Sequence, residues 1–384
     1  MSNYILRKIN LLYFLLFFIH IPSSLSIDIE NKNESLHTII DDYFEKSISK
    51  EPLKGTMLGI GKNDSLLGNP LTKEDVINKY YINQRYLSKI EKLDLAQLSS
   101  QELLTFKLFE YDLKMQLKGS QFPAYLLPFN QMEGIHLLFA ELASGLQPFE
   151  SVNDYENFLS RGKTFPKYID NLILILKDGI DSGVVLPKVI VEKVIQQLSQ
   201  YTVDSGSSSV FYLPIKKLKL ERKFSTEIID KLDKQYLICI TGKLFPAYRK
   251  LHEFMVNEYL SSARQSIGLS QLPNGNLWYE FQIEHHTTMP LSAKEIHSLG
   301  DREVKRNLQQ IEEYKNRLGF DGTLHEFFTH IKTDRQFFFK DKKSIIIFYQ
   351  SLKAKLDKKI PLLFNANAID DYLIKAIEPY REKD

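Results

Sequence analysis

The strongest constraint on this chain is a helical period that recurs with its own start and stop signals. In "SSQELLTFKLFEYDLKMQLKG", Ser99 and Glu102 have the three-residue spacing of a capping box. Leu104, Leu108, Tyr111 and Met115 then fall on one predicted face, and Gly119 closes the run where a left-handed residue is favoured. "SAKEIHSLGDREVKRNLQQIEEYKNRLG" repeats the grammar, with Ser292 and Glu295 at the start and Gly319 at the end. Its predicted stripe is Ile296, Leu299, Val304, Leu308 and Ile311. "TKEDVINKYYINQRYLSKIEKL" reads as a helix. So does "DYENFLSRGKTFPKYIDNLILILKDGI", with an interruption expected before Pro166.

Strand signals are weak. No strand–helix alternation and no glycine-rich phosphate loop occurs, and only "SVFYLP" (Ser209–Pro214) reads as a short extended piece. The expected class is a large, mostly α protein with little or no β-sheet. The polar stretch "DSGSSS" (Asp204–Ser209) marks a surface loop. It places the expected boundaries at 1–26 (signal peptide), 27–203, 204–210 (Ser/Gly loop) and 211–384.

Composition fits a folded globule. The 384 residues are 43% hydrophobic and include 25 Phe and 20 Tyr, which argues against extended disorder. The amino terminus is distinct. Arg7 and Lys8 precede the apolar run Ile9–Ile21, followed by Pro22 and small residues to Ser26. This is the order of a secretory signal, with cleavage expected after Ser26 and a periplasmic or secreted product. The alternative is an anchor at residues 9–21. No cysteine sits near the cleavage point, so a lipid-anchored form is not indicated. Loss of Arg7 and Lys8 brings the formal charge from +2 to zero, and a neutral chain is a poor partner for nucleic acid. The single cysteine, Cys239, reads as a small buried hydrophobe.

"GTLHEFFTH" (Gly322–His330) tests whether the chain carries a metal site. A zinc peptidase helix uses His-Glu-x-x-His, whose imidazoles lie about 40° apart. Here the second histidine comes five positions after the first, so His325 and His330 would diverge by about 140°. A capping box of Thr323 and Glu326 explains the stretch better. "LHEFM" (Leu251–Met255) also fails, because position 256 is valine. His285 and His286 in "IEHHTTMP" are read as part of an extended segment, where adjacent side chains face opposite ways. The pair Asp370 and Asp371 carries little signal.

Seven stretches in order resemble a known family. They are "PFNQMEGIH", "DYENFLSRGKTFPKYID", "GIDSGVVLPKVIV", "LFPAYRKLHEFM", "IGLSQLPNGNLWYEFQIEHHTT", "EIHSLGDREV" and "KKIPLLF". Together they are similar to the bacterial domain-of-unknown-function 885 family over nearly all of the chain after the signal. The resemblance implies a mostly helical, cleft-forming protein like a gluzincin-type zinc metallopeptidase. It also implies that the zinc site of full-length relatives lies toward the carboxy terminus, in a His-Glu-x-x-Pro-Gly-His stretch with a later glutamate. This sequence has no such stretch and stops at "IEPYREKD". The expectation is therefore a catalytically incomplete amino-terminal portion, with no zinc in this chain and no peptidase activity alone. Its partner would be a peptide substrate or a complementary chain. Asn130, Gln131, His136, Tyr279, His286 and Thr287 match recurrent positions of the family and are the candidate substrate-cleft residues. The competing role for them is to cap helices and hold loops. The alternative functions are a non-catalytic extracytoplasmic module binding peptide or protein, and an intact hydrolase with unrecognised residues. Apolar surface in "IPLLFNANAIDDYLIKAI" would then be exposed and sticky.

Overall fold

The computed structural model describes residues 35–201, 205–364 and 372–376. The signal segment at 1–26 lies outside them, as do Asp370 and Asp371. Among the described residues the chain is helical. Its only β-type pairing is an isolated parallel bridge between Pro187 and Arg264. The chain forms two compact units, one ending at Pro290 and one starting at Leu291.

The first unit contains α1 (Leu36–Lys50), α2 (Pro52–Met57), α3 (Lys73–Ile90), α4 (Ser100–Gly119), α5 (Ile135–Glu141), α6 (Val152–Asp181), α7 (Lys188–Gln200), α8 (Leu213–Glu221), α9 (Thr226–Cys239), α10 (Phe245–Phe254) and α11 (Gly275–Thr287). α9 runs into α10 through a π-helical turn, Ile240–Leu244, and a second such turn follows at Met255–Tyr259. α6 is the axis. Phe158, Phe165, Ile169, Leu172 and Leu176 on it are buried with residues of α5, α7, α8, α9 and α10 in one core. That core spans residues on both sides of 204–210. Aromatic rings knit it together. Phe139 meets Phe165 at 4.6 Å, and Phe165 stacks on Tyr248 at 4.9 Å. A second core joins Met115, Phe122, Trp278 and Phe281, and a third joins α1, α3 and α4 through Leu36, Ile39, Tyr86, Ile90, Phe106 and Leu113.

Several local expectations are corrected by packing. α6 does not break before Pro166; it runs unbroken for 30 residues. The lost main-chain bond costs about 3 kcal/mol. Burial of each large apolar neighbour recovers roughly 1.5–3 kcal/mol, so the buried face prevails. Residues 210–212 form a 3₁₀ turn leading into α8 rather than an extended piece. On α4, Leu104 and Leu108 are exposed, while Phe106, Leu113 and Met115 are buried. The helix serves two cores on different sides, so no single stripe describes it. His285 and His286 sit on α11, not on an extended segment.

The second unit contains α12 (Ala293–Arg317), α13 (Leu324–Thr333), α14 (Lys342–Asp357) and α15 (Ile360–Leu363). Among the described residues its buried side chains are Phe327 and the stem of Lys315, whose ammonium bonds the Gly322 carbonyl at 2.5 Å. The α12 residues Leu299, Val304 and Leu308, expected to face a core, are exposed.

Close approach of α6 and α9 depends on Gly162. A Cβ added there would lie 2.5 Å from Cys239 Sγ. Gly162→Ala should therefore destabilise the protein by about 1–3 kcal/mol in urea unfolding. Cys239→Ala, by removing the sulfur, should restore most of that loss in the double variant.

Candidate functional site

The stretch 128–136 folds into a tight loop leading into α5. Asn130 Oδ1 accepts from the backbone N–H groups of Met132 (2.7 Å) and Glu133 (3.2 Å). Its own N–H donates to the Glu133 carbonyl at 2.9 Å. Gly134 has φ +138°. A Cβ there would fall 2.3 Å from Phe129 Cβ, so only glycine lets the loop close against Phe129.

Behind the loop lies a fixed chain of hydrogen bonds. Gln197 on α7 donates from Nε2 to the Gln131 carbonyl at 2.9 Å. A carbonyl only accepts, so the other end of this amide, Oε1, faces His136 Nε2 at 3.3 Å. That oxygen also only accepts, which puts the imidazole proton on Nε2. His136 Nδ1 then carries a lone pair, and it is buried without a partner. It would lie 3.0 Å from a Cβ on Gly134. Tyr248 donates to the His136 carbonyl at 3.0 Å, and the ring packs edge-on to Phe129 at 5.3 Å. Burial pushes the imidazole pKa down to about 4, with the Gln197 bond opposing weakly.

This loop forms one wall of a cavity of about 440 Å³. Leu53 and Met57 of α2 line another side, Leu137, Leu138 and Glu141 of α5 a third, and Tyr168 of α6 the last. Among the described residues its lining holds two acids, Glu133 and Glu141, and no lysine, arginine or histidine. Burial raises the Tyr168 phenol to about 12, so it stays a hydrogen-bond donor at neutral pH. The cavity can thus take an apolar group with a cationic or donor tip.

The candidate residues divide. Asn130, Gln131 and His136 come together and brace the cavity wall from behind; the lining is made by their neighbours Phe129, Met132, Glu133, Gly134 and Ile135. Tyr279, His286 and Thr287 lie on α11 and are not part of that lining. Tyr279 and His286 are exposed. The Thr287 hydroxyl donates to Ile283 O at 2.7 Å and accepts from Met289 N at 3.2 Å, finishing the helix. Glu133 and Tyr168 lie within the family-like stretches Pro128–His136 and Asp154–Asp170, where nothing in their spacing marks them. Leu53, Met57 and Gln197 carried no local signal.

"HEFFTH" forms α13 with the expected capping box. Thr323 Oγ1 accepts from Glu326 N at 3.3 Å, and Glu326 Oε2 accepts from Thr323 N at 2.7 Å. The Thr323 hydroxyl also donates to Glu326 Oε2 at 2.9 Å, and the two bonds that this carboxylate accepts, from Thr323 N and Oγ1, hold it below its ordinary range. His330 stacks on Phe320 at 5.2 Å and approaches Asp334 at 3.8 Å. Among the described residues no three His, Cys, Asp or Glu side chains are grouped as metal donors.

Fold and cavity together define a mostly helical protein with a closed aromatic core and an acid-bearing apolar cavity beside a glycine-dependent loop. Residues 52–384 match the family described as "Bacterial protein of unknown function (DUF885)", and the chain belongs to that family. It is also similar to a crystal structure titled "putative lipoprotein from Colwellia psychrerythraea", with a TM-score of 0.77 at 18% identity. The match covers 87% of this chain and 61% of that one, so this chain spans under two thirds of that protein's length. No curated protein matches the chain.

The buried imidazole predicts an acid sensitivity. In the unfolded chain it takes a proton below its ordinary value of 6.5, but in the fold only near 4. The unfolded state binds more protons between these values, so stability falls as pH drops from about 6.5 toward 4, by roughly 3 kcal/mol in all. Urea midpoints measured across that range should show this slope, and His136→Leu should remove this part of it.

Proposed function

We propose that this is an exported helical protein that holds peptide in the cavity beside Asn130–His136. The carrying observation is the lining itself, an apolar body with Glu133 and Glu141, the Tyr168 phenol and no base. That combination suits a lysine or arginine side chain, whose stem buries against Leu53, Leu137 and Leu138 while its head meets a carboxylate. Export is supported by the charge-then-apolar order of Arg7, Lys8 and Ile9–Ile21. Among the described residues no helix is long and apolar enough to cross a membrane.

The reading extends to the resemblance with gluzincin-type peptidases. Hydrolysis by zinc requires three protein ligands with an open position, and a carboxylate to take the proton from bound water. The five-residue spacing of His325 and His330 on α13 does not suit that arrangement. On this proposal the chain binds and orients a peptide, holds no zinc by itself and cleaves nothing alone. Asn130, Gln131 and His136 keep the cavity wall in shape. Tyr279 and His286 are exposed positions for a longer peptide to reach, and Thr287 caps its helix.

Calorimetric titration checks the binding. Short peptides with a lysine between apolar residues should bind, and their glutamate counterparts should not. Leu138→Trp should fill the cavity and weaken binding at least tenfold with helicity unchanged. Equal affinity in that variant defeats the cavity reading. One tightly held zinc per purified chain, with peptide cleavage, defeats the non-catalytic one.

A further inference from the structure

The segment from Arg335 to Phe364 has a composition unlike the rest of the molecule. It holds eight lysines and arginines against two aspartates. It also exposes apolar side chains in number. Phe337, Phe338 and Phe339 are each about half exposed. On α14, Ile345, Phe348, Leu352 and Leu356 recur at three- and four-residue spacing, which puts them on one face, and all are exposed. α14 buries no residue at all. Phe339 packs against Phe348 at 5.2 Å and so joins the α14 stripe, while Phe337 meets His330 of α13 at 5.5 Å. Leu362, Leu363 and Phe364 extend the apolar content beyond α14.

We infer that this segment is a docking surface for an anionic lipid bilayer, lying in the headgroup plane with its aromatic and aliphatic side chains inserted and its lysines on the phosphates. Three features favour this occupant. The excess of positive charge requires an anionic partner and repels a second copy of the same surface. The aliphatic members Ile345, Leu352, Leu356, Leu362 and Leu363 match acyl chains and have no stacking role on nucleic-acid bases. An amphipathic helix fringed with lysine and carrying phenylalanine on its apolar face is the arrangement that binds at a membrane interface. The inference does not depend on the peptide cavity, which lies in the other unit.

Vesicle cosedimentation of the full chain tests it. All variants keep Ile9–Ile21, so any contribution of that run is common to them. At about 0.1 M salt, the parent should bind vesicles containing about a third phosphatidylglycerol at least tenfold more tightly than pure phosphatidylcholine vesicles. Lys340→Glu with Lys343→Glu should lower that affinity roughly tenfold or more. These changes place acids beside the start of α14, where the helix dipole favours them, so the fold is preserved. Phe338→Ser with Phe348→Ser should weaken binding while leaving the circular dichroism spectrum unchanged. Equal binding to neutral and anionic vesicles would overturn the inference. So would insensitivity to both double variants, displacement of the vesicles by a single-stranded oligonucleotide, or a stable dimer that the phenylalanine changes dissolve.

Discussion

A single buried guanidinium fixes how the parts around the cavity are held. Arg161, midway along α6, has no exposed surface. Its Nε donates to Leu66 O at 2.9 Å, Nη1 to Gln147 Oε1 at 2.7 Å and Nη2 to Thr56 Oγ1 at 2.5 Å. Asp64, 3.7 Å away, balances the charge and accepts from Thr56 at 2.5 Å. Burial lowers the guanidinium pKa to about 10, against the pull of Asp64, so it remains charged at neutral pH. A charge so placed tolerates no loss of a partner, because removing one leaves an uncompensated ion in the interior at about 3–5 kcal/mol. The network ties α2 and the 58–66 loop to α6. α2 supplies Leu53 and Met57 to one cavity wall and α6 supplies Tyr168 to another. The wall separation is therefore set by an ion pair outside the cavity.

The loop opposite is held by different means. Its shape follows from Asn130 turning back on Met132 and Glu133 and from the positive φ at Gly134. Its position follows from Gln197, which satisfies Gln131 and His136 at once. Burying a neutral imidazole with one ring nitrogen unpaired has a cost, since a desolvated acceptor forfeits its bond to water. It persists because Phe129 and Gln197 hold the ring while Tyr248 anchors the main chain of His136 through its carbonyl.

What was legible in the sequence is what is decided within four residues. The boxes at Ser99 and Glu102, Ser292 and Glu295, and Thr323 and Glu326 form as their spacing requires, because donor and acceptor lie in one turn. Which helix face is buried was not, since that depends on distant partners. Leu104 and Leu108 are exposed because the third core takes Phe106 and Leu113 instead. Pro166 broke nothing because the buried face outweighs one missing bond. The cavity draws on residues from Leu53 to Tyr168, and no local pattern connects α2, α5 and α6.

The two units rest on different balances of forces. In the first, large apolar side chains from many elements are fully buried, and its stability is of the ordinary core-driven kind. In the second, burial among the described residues is confined to Phe327 and the Lys315 stem. Its helices lean instead on local devices. Ser292, Thr323 and Asp341 each cap a helix start, and Asp301 with Lys305 and Lys353 with Asp357 pair across one turn. A cap contributes about 1 kcal/mol and an exposed ion pair at most about half of that. Helices held so lightly open locally at low free energy. Their exposed apolar faces would gain more from an external surface than from rearranging among themselves, and so the lysine-rich α14 is free to serve as a contact rather than as part of a core.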